Sequence, residues 1–522
     1  MPNASPSPVG SARSRSLLLA TLALGLLLRL VLSAASTEWN MDPDAAHFLN
    51  IARMFREGHG FTNPAAWPAW IQPARLPMPE TFKEPGYPWL IARLGGTFLA
   101  GQAISLIAGV LLPWATYVLA RRRALGTAAS ILAALLVATS PLLLLQSVRV
   151  MVDAPFALVV TLMFVAASRD AGDPASNHRS VLRDVTAGAL FGAAYLLRAQ
   201  TLILFVPLVA LLFERRTMRE ALARTGLVLA AAAVVSAPFW LRNLALFHTP
   251  LYSDVVAYGL WPYVDHLAFS HGLEHPPAVV PFVLAHVPQV VAHMASSFAH
   301  FFLRVLPDEI MGQPFWMLPL AAGVIVSVRT PETWRFAWLY LGITLVFIMA
   351  VHWDSRYFTS SVPLYCLLTA LGAITLADRL ANLTLVGPLK ASALLVTALV
   401  VVVVLQVLVA RRTLAAFAPP ELAAARKEAS FLAERLESDE AVLAVTTSYW
   451  SWFAKRNSVH LVIADEPRFD DVMRRLKVRW AALPTSRLAE FAARYPSGTL
   501  PRSLEFDHAD STVDVTLFRV QP

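Results

Sequence analysis

Long apolar stretches separated by short polar segments run through most of this chain, from residue 17 to about residue 410. Most of them approach the roughly 20 residues that cross the hydrocarbon core of a bilayer. A polytopic α-helical membrane protein is therefore predicted, with about eleven transmembrane helices. They are expected near residues 17–35, 98–120, 126–146, 153–168, 184–197, 200–214, 226–245, 315–328, 334–352, 358–377 and 390–410.

The polar parts of the chain predict its domain organisation. Residues 1–16 form a short terminus, residues 17–410 a transmembrane domain, and this domain contains two long loops at about 36–97 and 246–314. After residue 410 charges become frequent, and the run ELAAARKEASFLAERLESDE has apolar residues at helical spacing. Short apolar runs follow, AVLAVTT, SVHLVIA, WAALP and TVDVTLFRV, with a helical stretch at 468–476. Residues 411–522 are thus expected to form a small soluble α/β domain.

Composition and charge predict the orientation. The chain is 57% hydrophobic and 15% charged, and its net charge is +8. Basic residues cluster at helix ends, at 13 and 15, 121–123 and 215–216, which is the positive-inside pattern of membrane proteins rather than a nucleic-acid surface. We therefore expect a multi-pass protein of the cell (inner) membrane, with a cytoplasmic N-terminus and with both long loops and the C-terminal domain outside the cytoplasm. The single cysteine, Cys366, excludes an intramolecular disulfide or a cysteine-based metal cluster.

The first long loop carries charged residues at both of its ends. Asp42 and Asp44 stand at the start of a predicted amphipathic helix, where a carboxylate could act chemically or Asp44 could simply cap the helix. Lys83 and Glu84 precede a Pro-Gly-Tyr-Pro turn at the other end. The alternative for Lys83 is an interfacial lysine that snorkels towards the headgroups.

Two further turns at expected outer helix ends contain ionisable residues, which are functional candidates near a membrane. The first is SVRVMVDAPF, with Arg149 and Asp153, although Asp153 could be a helix cap. The second is VHWDSRYF, where the guanidinium of Arg356 lies between two apolar spans and suits a phosphate or another anion. No G-x-G-x-x-G or P-loop phosphate cradle occurs anywhere, so no nucleotide site is predicted.

These motifs together resemble the polytopic GT-C glycosyltransferases, specifically bacterial relatives of protein O-mannosyltransferases and of the lipid A aminoarabinose transferase. PDAAHFLNIAR and KEPGYPWL resemble the two ends of that family's first outer loop, with Asp44 and Lys83 at its key positions. MVDAPFALVVTLMF resembles the second acidic turn, YLLRAQTLILFVPL an arginine-bearing helix break, APFWLRNLALFHTPL a Pro-x-x-x-Arg-Asn element, and DSRYFTSSVPLYCLLTALG a late Arg-Tyr turn. The chain departs from the pattern at Ala45, where the family has an acid, and has Phe48 at the aromatic position that follows.

The resemblance implies a GT-C-like fold and the transfer of a sugar from a polyprenyl-phosphate donor to an acceptor hydroxyl on the outer face of the membrane. The acceptor is expected to be a protein, a glycolipid or a polysaccharide. Asp44 is the expected base of an inverting single displacement. The other expected catalytic carboxylates are Asp42 and Asp153, which would orient hydroxyls or, with Asp44, hold a divalent metal ion; no metal ligand set is assigned, because carboxylates do not choose an ion.

Cations are expected to neutralise the leaving phosphate. The donor-phosphate candidates are Lys83, Arg356, Arg149, Arg198, Arg242 and Tyr357, and the candidates for contacts with other parts of the substrates are Glu84, Tyr87, His352 and Asp354. Two alternatives remain at this stage. One is a membrane transporter or flippase, and the other is a non-catalytic scaffold of the cell envelope; against transport stand the two long asymmetric loops and the lack of a detectable inverted repeat.

Overall fold

The structure, a computed structural model, divides into two compact units. The first unit contains Met1–Ala35, Gln102–Leu251 and His293–Leu414, and the second contains Ser36–Gly101, Tyr252–Ala292 and Ala415–Pro522. The residues that it describes are 8–66, 75–168, 177–214, 217–254, 259–263, 279–351, 353–381, 401, 403–415, 417 and 419–521.

The first unit is helical throughout its described residues. Most of its long helices follow the predicted apolar segments. The exception is Val287–Ile310, which is long and apolar enough to cross a membrane although the sequence predicts that residues 246–314 form an outer loop. Short 3₁₀ or π segments occur at Ala199–Leu204, Phe301–Ile310, Pro314–Trp316 and Ser355–Ser361. The helices are Pro8–Ser33, Phe98–Arg122, Thr127–Thr139, Pro141–Val148, Asp153–Ala167, Asn177–Leu197, Phe205–Phe213, Met218–Phe247, Val287–His300, Met317–Val328, Pro331–Met349, Val362–Ala381 and Val403–Ala415.

Five helices of the described residues are long and apolar enough to cross a membrane, and two bent helix pairs raise the number to seven if each pair is one span. The five are Ser14–Ser33, Phe98–Arg122, Met218–Phe247, Val287–Ile310 and Ser355–Arg379. Shorter apolar helices, such as Asp153–Ala167, coincide with other predicted spans. The count of about eleven stays a prediction, because residues 382–400 lie outside the described part of the chain.

Glycines let helices of the first unit approach each other closely. A Cβ added at Gly323 or Gly372 would overlap the backbone of the neighbouring helix, at the carbonyl oxygens of Leu368 and Pro319 respectively. At Gly192 an added Cβ would lie 2.7 Å from the Ala232 carbonyl oxygen. Small residues at helix contacts are typical of membrane bundles, where packing rather than the hydrophobic effect holds helices together.

The second unit is mixed. Its helices are Pro43–Arg56, Gly86–Arg93, Val279–Ala285, Pro420–Arg435, Thr447–Ala454, Glu466–Arg475 and Leu488–Arg494, with 3₁₀ turns at Glu38–Asn40, Trp261–Tyr263 and Thr485–Arg487. Its strands are β1 (Thr62–Asn63), β2 (Ala65–Ala66), β3 (Met78–Pro79), β4 (Ala441–Ala444), β5 (Asn457–His460), β6 (Val478–Leu483), β7 (Leu504–Asp510) and β8 (Val515–Val520).

Six of these strands form one sheet in the order β2-β5-β4-β6-β8-β7. Strands β2, β5, β4 and β6 run parallel to one another, whereas β8 runs antiparallel to its neighbours β6 and β7. The edge strand β2 comes from the first long loop, and it pairs with β5 through Ala65 opposite Ser458 and Ala66 opposite Val459. The first loop and the C-terminal segment therefore form one structure, whose apolar core includes Leu443, Val459 and Phe469.

Hydrogen bonds join the helix Pro43–Arg56 and the residues just before it to the C-terminal segment. The Tyr449 hydroxyl donates to the Met41 carbonyl oxygen at 2.8 Å, directly before the helix. Farther along, the Asn50 side-chain amide donates to the Ser448 carbonyl oxygen at 2.8 Å, and Arg53 Nη2 donates to the Ser451 carbonyl oxygen at 3.3 Å. The helix that Asp42 caps is therefore anchored near its start and along its length within the second unit.

Candidate active site

The start of the helix Pro43–Arg56 separates the two aspartates that the sequence presents together. Asp42 is the N-cap, and its Oδ1 accepts the backbone N–H of Asp44 at 2.9 Å. Proline at the first helical position supports the same start, because its missing N–H is not needed there. Asp42 therefore caps the helix, a role that the sequence also allows for Asp44. Asp44 lies in the first turn of the helix, where the helix dipole favours negative charge.

The side chains of Asp44 and Lys83 meet, although 38 residues separate them in the sequence. Lys83 Nζ lies 2.8 Å from Asp44 Oδ1, and the two side chains are 14% and 20% exposed. The ammonium also lies over two aromatic rings, 4.6 Å from the centroid of Phe82 and 5.4 Å from that of Phe48. A carboxylate and two aromatic faces therefore hold one cation in a largely buried place. The two ends of the first long loop come together at this pair.

Directly behind Lys83, the carboxylate of Glu80 is almost fully buried. Its Oε1 accepts the backbone N–H groups of Phe82 and Lys83 at 2.7 and 2.9 Å, and its Oε2 lies 2.9 Å from His47 Nε2. Burial alone raises the pKa of this carboxyl, but the charge and hydrogen bond of His47 and the two amides outweigh it and lower the pKa to about 2. Glu80 is therefore a buried anion with three donors.

The second long loop reaches the same place through Asp254. The Asp254 backbone N–H donates to the Thr81 carbonyl oxygen at 2.9 Å, and the Thr81 hydroxyl donates to the Asp254 carboxylate. The Tyr252 hydroxyl donates to Asp254 Oδ1 at 3.0 Å. Burial raises the pKa of Asp254, and the nearby charge of Glu80 adds to this effect. Asp254, His47 and Glu80 were not predicted from the sequence. The one sequence signal was the spacing of His47, three residues after Asp44 on a predicted helix.

In the first unit, four of the predicted site residues come together. Arg198 Nη2 lies 2.9 Å from Asp153 Oδ1, and the Asp153 side chain is 1% exposed. The Arg198 guanidinium lies over the Tyr357 ring at 5.1 Å, and the Arg356 guanidinium lies over the same ring at 5.7 Å. Two arginines on one tyrosine, one of them paired with a buried aspartate, form a cluster with the chemistry of an anion-binding site.

The remaining predicted residues occupy other positions. Arg149 ends the helix Pro141–Val148, Arg242 Nη1 donates to Asn243 Oδ1 at 2.9 Å, and Asp354 caps the turn Ser355–Ser361 by accepting the Arg356 N–H at 3.0 Å. Glu84 precedes the helix Gly86–Arg93, whose fully buried Tyr87 donates its hydroxyl to the Gly101 carbonyl oxygen at 2.9 Å. His352 lies outside the described residues. Their functional roles stay predictions.

The possible divalent metal ion does not fit the carboxylates that the structure describes. No group of three or more His, Cys, Asp or Glu side chains among the described residues could hold a metal ion. Asp44 is instead paired with the ammonium of Lys83, and Asp42 with a backbone N–H.

The helices of the first unit and the small mixed sheet of the second are similar in fold to solved structures of GT-C glycosyltransferases, as the sequence motifs suggest. Two structures of the oligosaccharyltransferase AglB from Archaeoglobus fulgidus share the fold: the complex with an inhibitory peptide and a dolichol-phosphate has a TM-score of 0.62 at 14% identity and covers 98% of this chain and 74% of that one. The complex with Zn and sulfate has a TM-score of 0.61 at 14% identity, covering 95% of this chain and 72% of AglB. ArnT from Cupriavidus metallidurans bound to undecaprenyl phosphate has a TM-score of 0.57 at 14% identity, covering 97% of this chain and 99% of ArnT.

The family comparison is narrower. Residues 83–240 match the family model of dolichyl-phosphate-mannose-protein mannosyltransferase. This match includes Lys83, Arg149, Asp153 and Arg198, but it includes neither Asp44 nor Arg356. No curated protein sequence matches the chain. The predicted resemblance to GT-C glycosyltransferases and the predicted helical fold with a small C-terminal sheet are confirmed by these findings.

Proposed function

We propose that this protein is an integral membrane glycosyltransferase that moves a sugar from a polyprenyl-phosphate donor to an acceptor hydroxyl on the outer face of the membrane. The observation that carries the proposal is the partly buried pair of Asp44 and Lys83 at 2.8 Å. A glycosyl transfer of this kind needs a base for the acceptor and a cation for the leaving phosphate, and this pair supplies both.

In the proposed reaction the acceptor oxygen attacks the anomeric carbon of the donor sugar while the bond from that carbon to the phosphate oxygen breaks. Asp44 takes the proton of the acceptor hydroxyl, and the polyprenyl phosphate leaves with one more negative charge than it carried as a diester. A single displacement of this kind inverts the anomeric configuration. Nuclear magnetic resonance of the product checks this point, because a product with the donor's own configuration would contradict single displacement.

Lys83 has two successive partners in this scheme. Without donor it lies against Asp44, and an ammonium at that distance competes with the acceptor's proton for the carboxylate. A donor phosphate offers the lysine a second anion, and its charge grows as the glycosidic bond stretches. Transfer of the lysine contact from Asp44 to the phosphate would then free the base at the moment when the leaving group needs the cation.

The arginine cluster of the first unit is proposed separately as an anion-binding element. Its support is the pair of guanidinium groups on Tyr357, with Asp153 fixing the position of Arg198. Dolichol-phosphate is present in the AglB complex and undecaprenyl phosphate in the ArnT complex. We infer the same chemical class, a long-chain polyprenyl phosphate, as the carrier for this chain.

The test compares lipids, glycans and envelope proteins by mass spectrometry in a strain that lacks the gene, complemented with wild type or with variants. The deletion is expected to remove one sugar mass, and wild type but not Asp44→Asn is expected to restore it. Asp439→Asn is the matched control, because it removes the charge of another carboxylate of the second unit that pairs with a lysine, Lys477, on an exposed surface. Restoration by Asp44→Asn would remove Asp44 as the base. A deletion strain with unchanged sugars, but with altered uptake or lipid flipping, would favour the transporter.

A further inference from the structure

Behind the Asp44–Lys83 pair lies a buried polar cluster to which the proposed chemistry assigns nothing. It consists of His47, Asn63 and Glu80, which are 6%, 4% and 2% exposed. The three residues come from three different segments of the second unit: the helix Pro43–Arg56, strand β1 and the turn before Lys83. A buried carboxylate and a buried imidazole are costly to desolvate, so their presence calls for an explanation.

Glu80 connects the cluster to Lys83 through the backbone. Its Oε1 accepts the N–H groups of Phe82 and Lys83 at 2.7 and 2.9 Å, which fixes the turn that carries the lysine. These are charge-assisted hydrogen bonds, which are about twice as strong as neutral ones. Phe82, held by the same oxygen, supplies one of the two rings under the ammonium, 4.6 Å from its centroid.

His47 connects the cluster to Asp44. It follows Asp44 by three residues on one helix, so the two side chains leave neighbouring turns. Its Nε2 lies 2.9 Å from Glu80 Oε2, and this bond ties the helix of Asp44 to the turn of Lys83 behind their own ion pair. The two charged partners are thereby joined twice, once through their side chains and once through Glu80 and His47.

Asn63 connects the cluster to the sheet. Its Nδ2 lies 2.9 Å from the same His47 Nε2, while its Oδ1 accepts the Ala65 N–H at 2.9 Å, at the start of β2. Because the Asn63 side-chain oxygen accepts the Ala65 N–H, the side-chain nitrogen of Asn63 faces the imidazole. An Nε2 that donates its hydrogen to Glu80 cannot also accept one from Asn63, so Glu80 holds the imidazole and the Asn63 amide only lies against it.

From these contacts we propose that Glu80 and His47 are positioning residues, which set the place of Lys83 relative to Asp44 and so its reach towards the donor phosphate. The proposal rests on the proposed function. Neither residue takes part in proton transfer or touches the reacting atoms. A displacement of about 1 Å can cost about 100-fold in rate, so loss of such residues is expected to be felt in catalysis.

A double-mutant cycle with Lys83→Ala separates positioning from simple stabilisation. Glu80→Ala is expected to lower kcat/KM for sugar transfer by about 10- to 100-fold in the wild-type background, but by less than about 3-fold when Lys83 is already alanine. Glu80→Gln keeps an oxygen that accepts the two backbone N–H groups but loses the negative charge. It is expected to fold even if Glu80→Ala does not, and to retain more transfer activity than Glu80→Ala. Equal losses in both backgrounds would overturn the proposal.

The matched control is Glu214→Gln, which breaks another largely buried ion pair, with Arg123 at 2.9 Å, in the first unit. Its effect is expected to be the same with Lys83 or with alanine at position 83, since distant and independent sites add. If the effect of Glu214→Gln on kcat/KM depends on Lys83 as strongly as that of Glu80→Ala, the cycle reports general destabilisation. That result would also overturn the positioning role.

Binding of sugar-free undecaprenyl phosphate to the full-length protein in nanodiscs distinguishes this proposal from the proposed function. Lys83→Ala is expected to weaken binding, and Glu80→Ala is expected to weaken it only while Lys83 is present. If the wild-type protein binds the lipid with this dependence but transfers no sugar, the proposed function fails and the positioning role stands. If binding is lost equally in both backgrounds, or is absent in the wild type, the positioning role is wrong.

Discussion

Tyr449 offers a sharp test of whether the C-terminal segment holds the helix of Asp44 in place. Its hydroxyl is the only part removed by Tyr449→Phe, and it donates at 2.8 Å to the Met41 carbonyl oxygen, next to the capping residue Asp42. Tyr449 and Met41 are both buried, at 0% and 3% exposure, so water does not readily replace the lost donor. Leaving a buried acceptor unpaired costs about 1–3 kcal/mol.

The matched control is Tyr495→Phe. The Tyr495 hydroxyl donates to the Val462 carbonyl oxygen at 2.9 Å, and Tyr495 is 3% exposed, so the lost hydrogen bond is of the same type. This bond lies within the C-terminal segment, away from the helix Pro43–Arg56. The two variants are therefore expected to lose similar stability, of about 1–3 kcal/mol, but in different places.

Hydrogen exchange with mass spectrometry, on the protein in nanodiscs, measures the difference. Because about 1.4 kcal/mol corresponds to a factor of ten, amide protection at the start of the helix Pro43–Arg56 is expected to fall by about 5- to 140-fold in Tyr449→Phe. In Tyr495→Phe the loss is expected around residues 457–463 instead, and kcat for sugar transfer is expected to fall more in Tyr449→Phe. Equal protection of the Asp42–Asp44 region in both variants would refute the claim that Tyr449 anchors it.

Three further predictions concern single features of the structure. Lys83→Ala is expected to lower kcat by about 100- to 1000-fold, which is the usual effect of losing one transition-state donor. Lys83→Arg keeps the charge and is expected to retain part of the rate. Equal rates of the two variants would contradict the electrostatic role of Lys83. The pKa of Glu80 is lowered from 4.5 to about 2, so the stability that its carboxylate adds to the folded protein is present above pH 4.5 and is lost as the pH falls towards 2. The melting temperature of the wild type is therefore expected to fall more steeply over that range than that of Glu80→Gln. Parallel curves of melting temperature against pH would contradict this. Gly372→Ala is expected to lower the melting temperature strongly, because the added Cβ would overlap the backbone of the neighbouring helix. Gly342→Ala is the control, because nothing lies within 4 Å of a Cβ added there. Similar melting temperatures of the two variants would argue against close helix packing at Gly372.

The sequence predicts the parts of this molecule that rest on local pattern. Apolar segments of helical length predict most helices of the first unit, although not Val287–Ile310. The runs around Leu443, Val459, Ala481 and Leu517 predict four of the strands of the sheet. The chemistry of Asp44 and Lys83 follows from residue type and family resemblance, and the structure brings the two side chains within 2.8 Å of each other. Their catalytic roles stay predictions for the experiments above.

Features that depend on distant contacts could not be predicted. Strand β2 consists of two alanines, which carry no strand propensity, and it exists because β5 lies beside it. Glu80 and His47 look like ordinary polar residues of a loop and a helix, and only their burial against each other gives them a role. Asp254 follows the same rule, since its contact with Thr81 joins two loops that are far apart in sequence.

The pairing of β2 with β5 also sets an order for the making of this protein. Asp44, Asn63 and Lys83 emerge from the ribosome early, but the strand that completes their surroundings, Asn457–His460, is synthesised after the last apolar helix. A chain stopped at residue 415 would contain the helices of the first unit that the structure describes and both charged partners, yet it would lack Tyr449 and the partner of β2. The pairing of β2 therefore forms only after residues 457–460 have been synthesised.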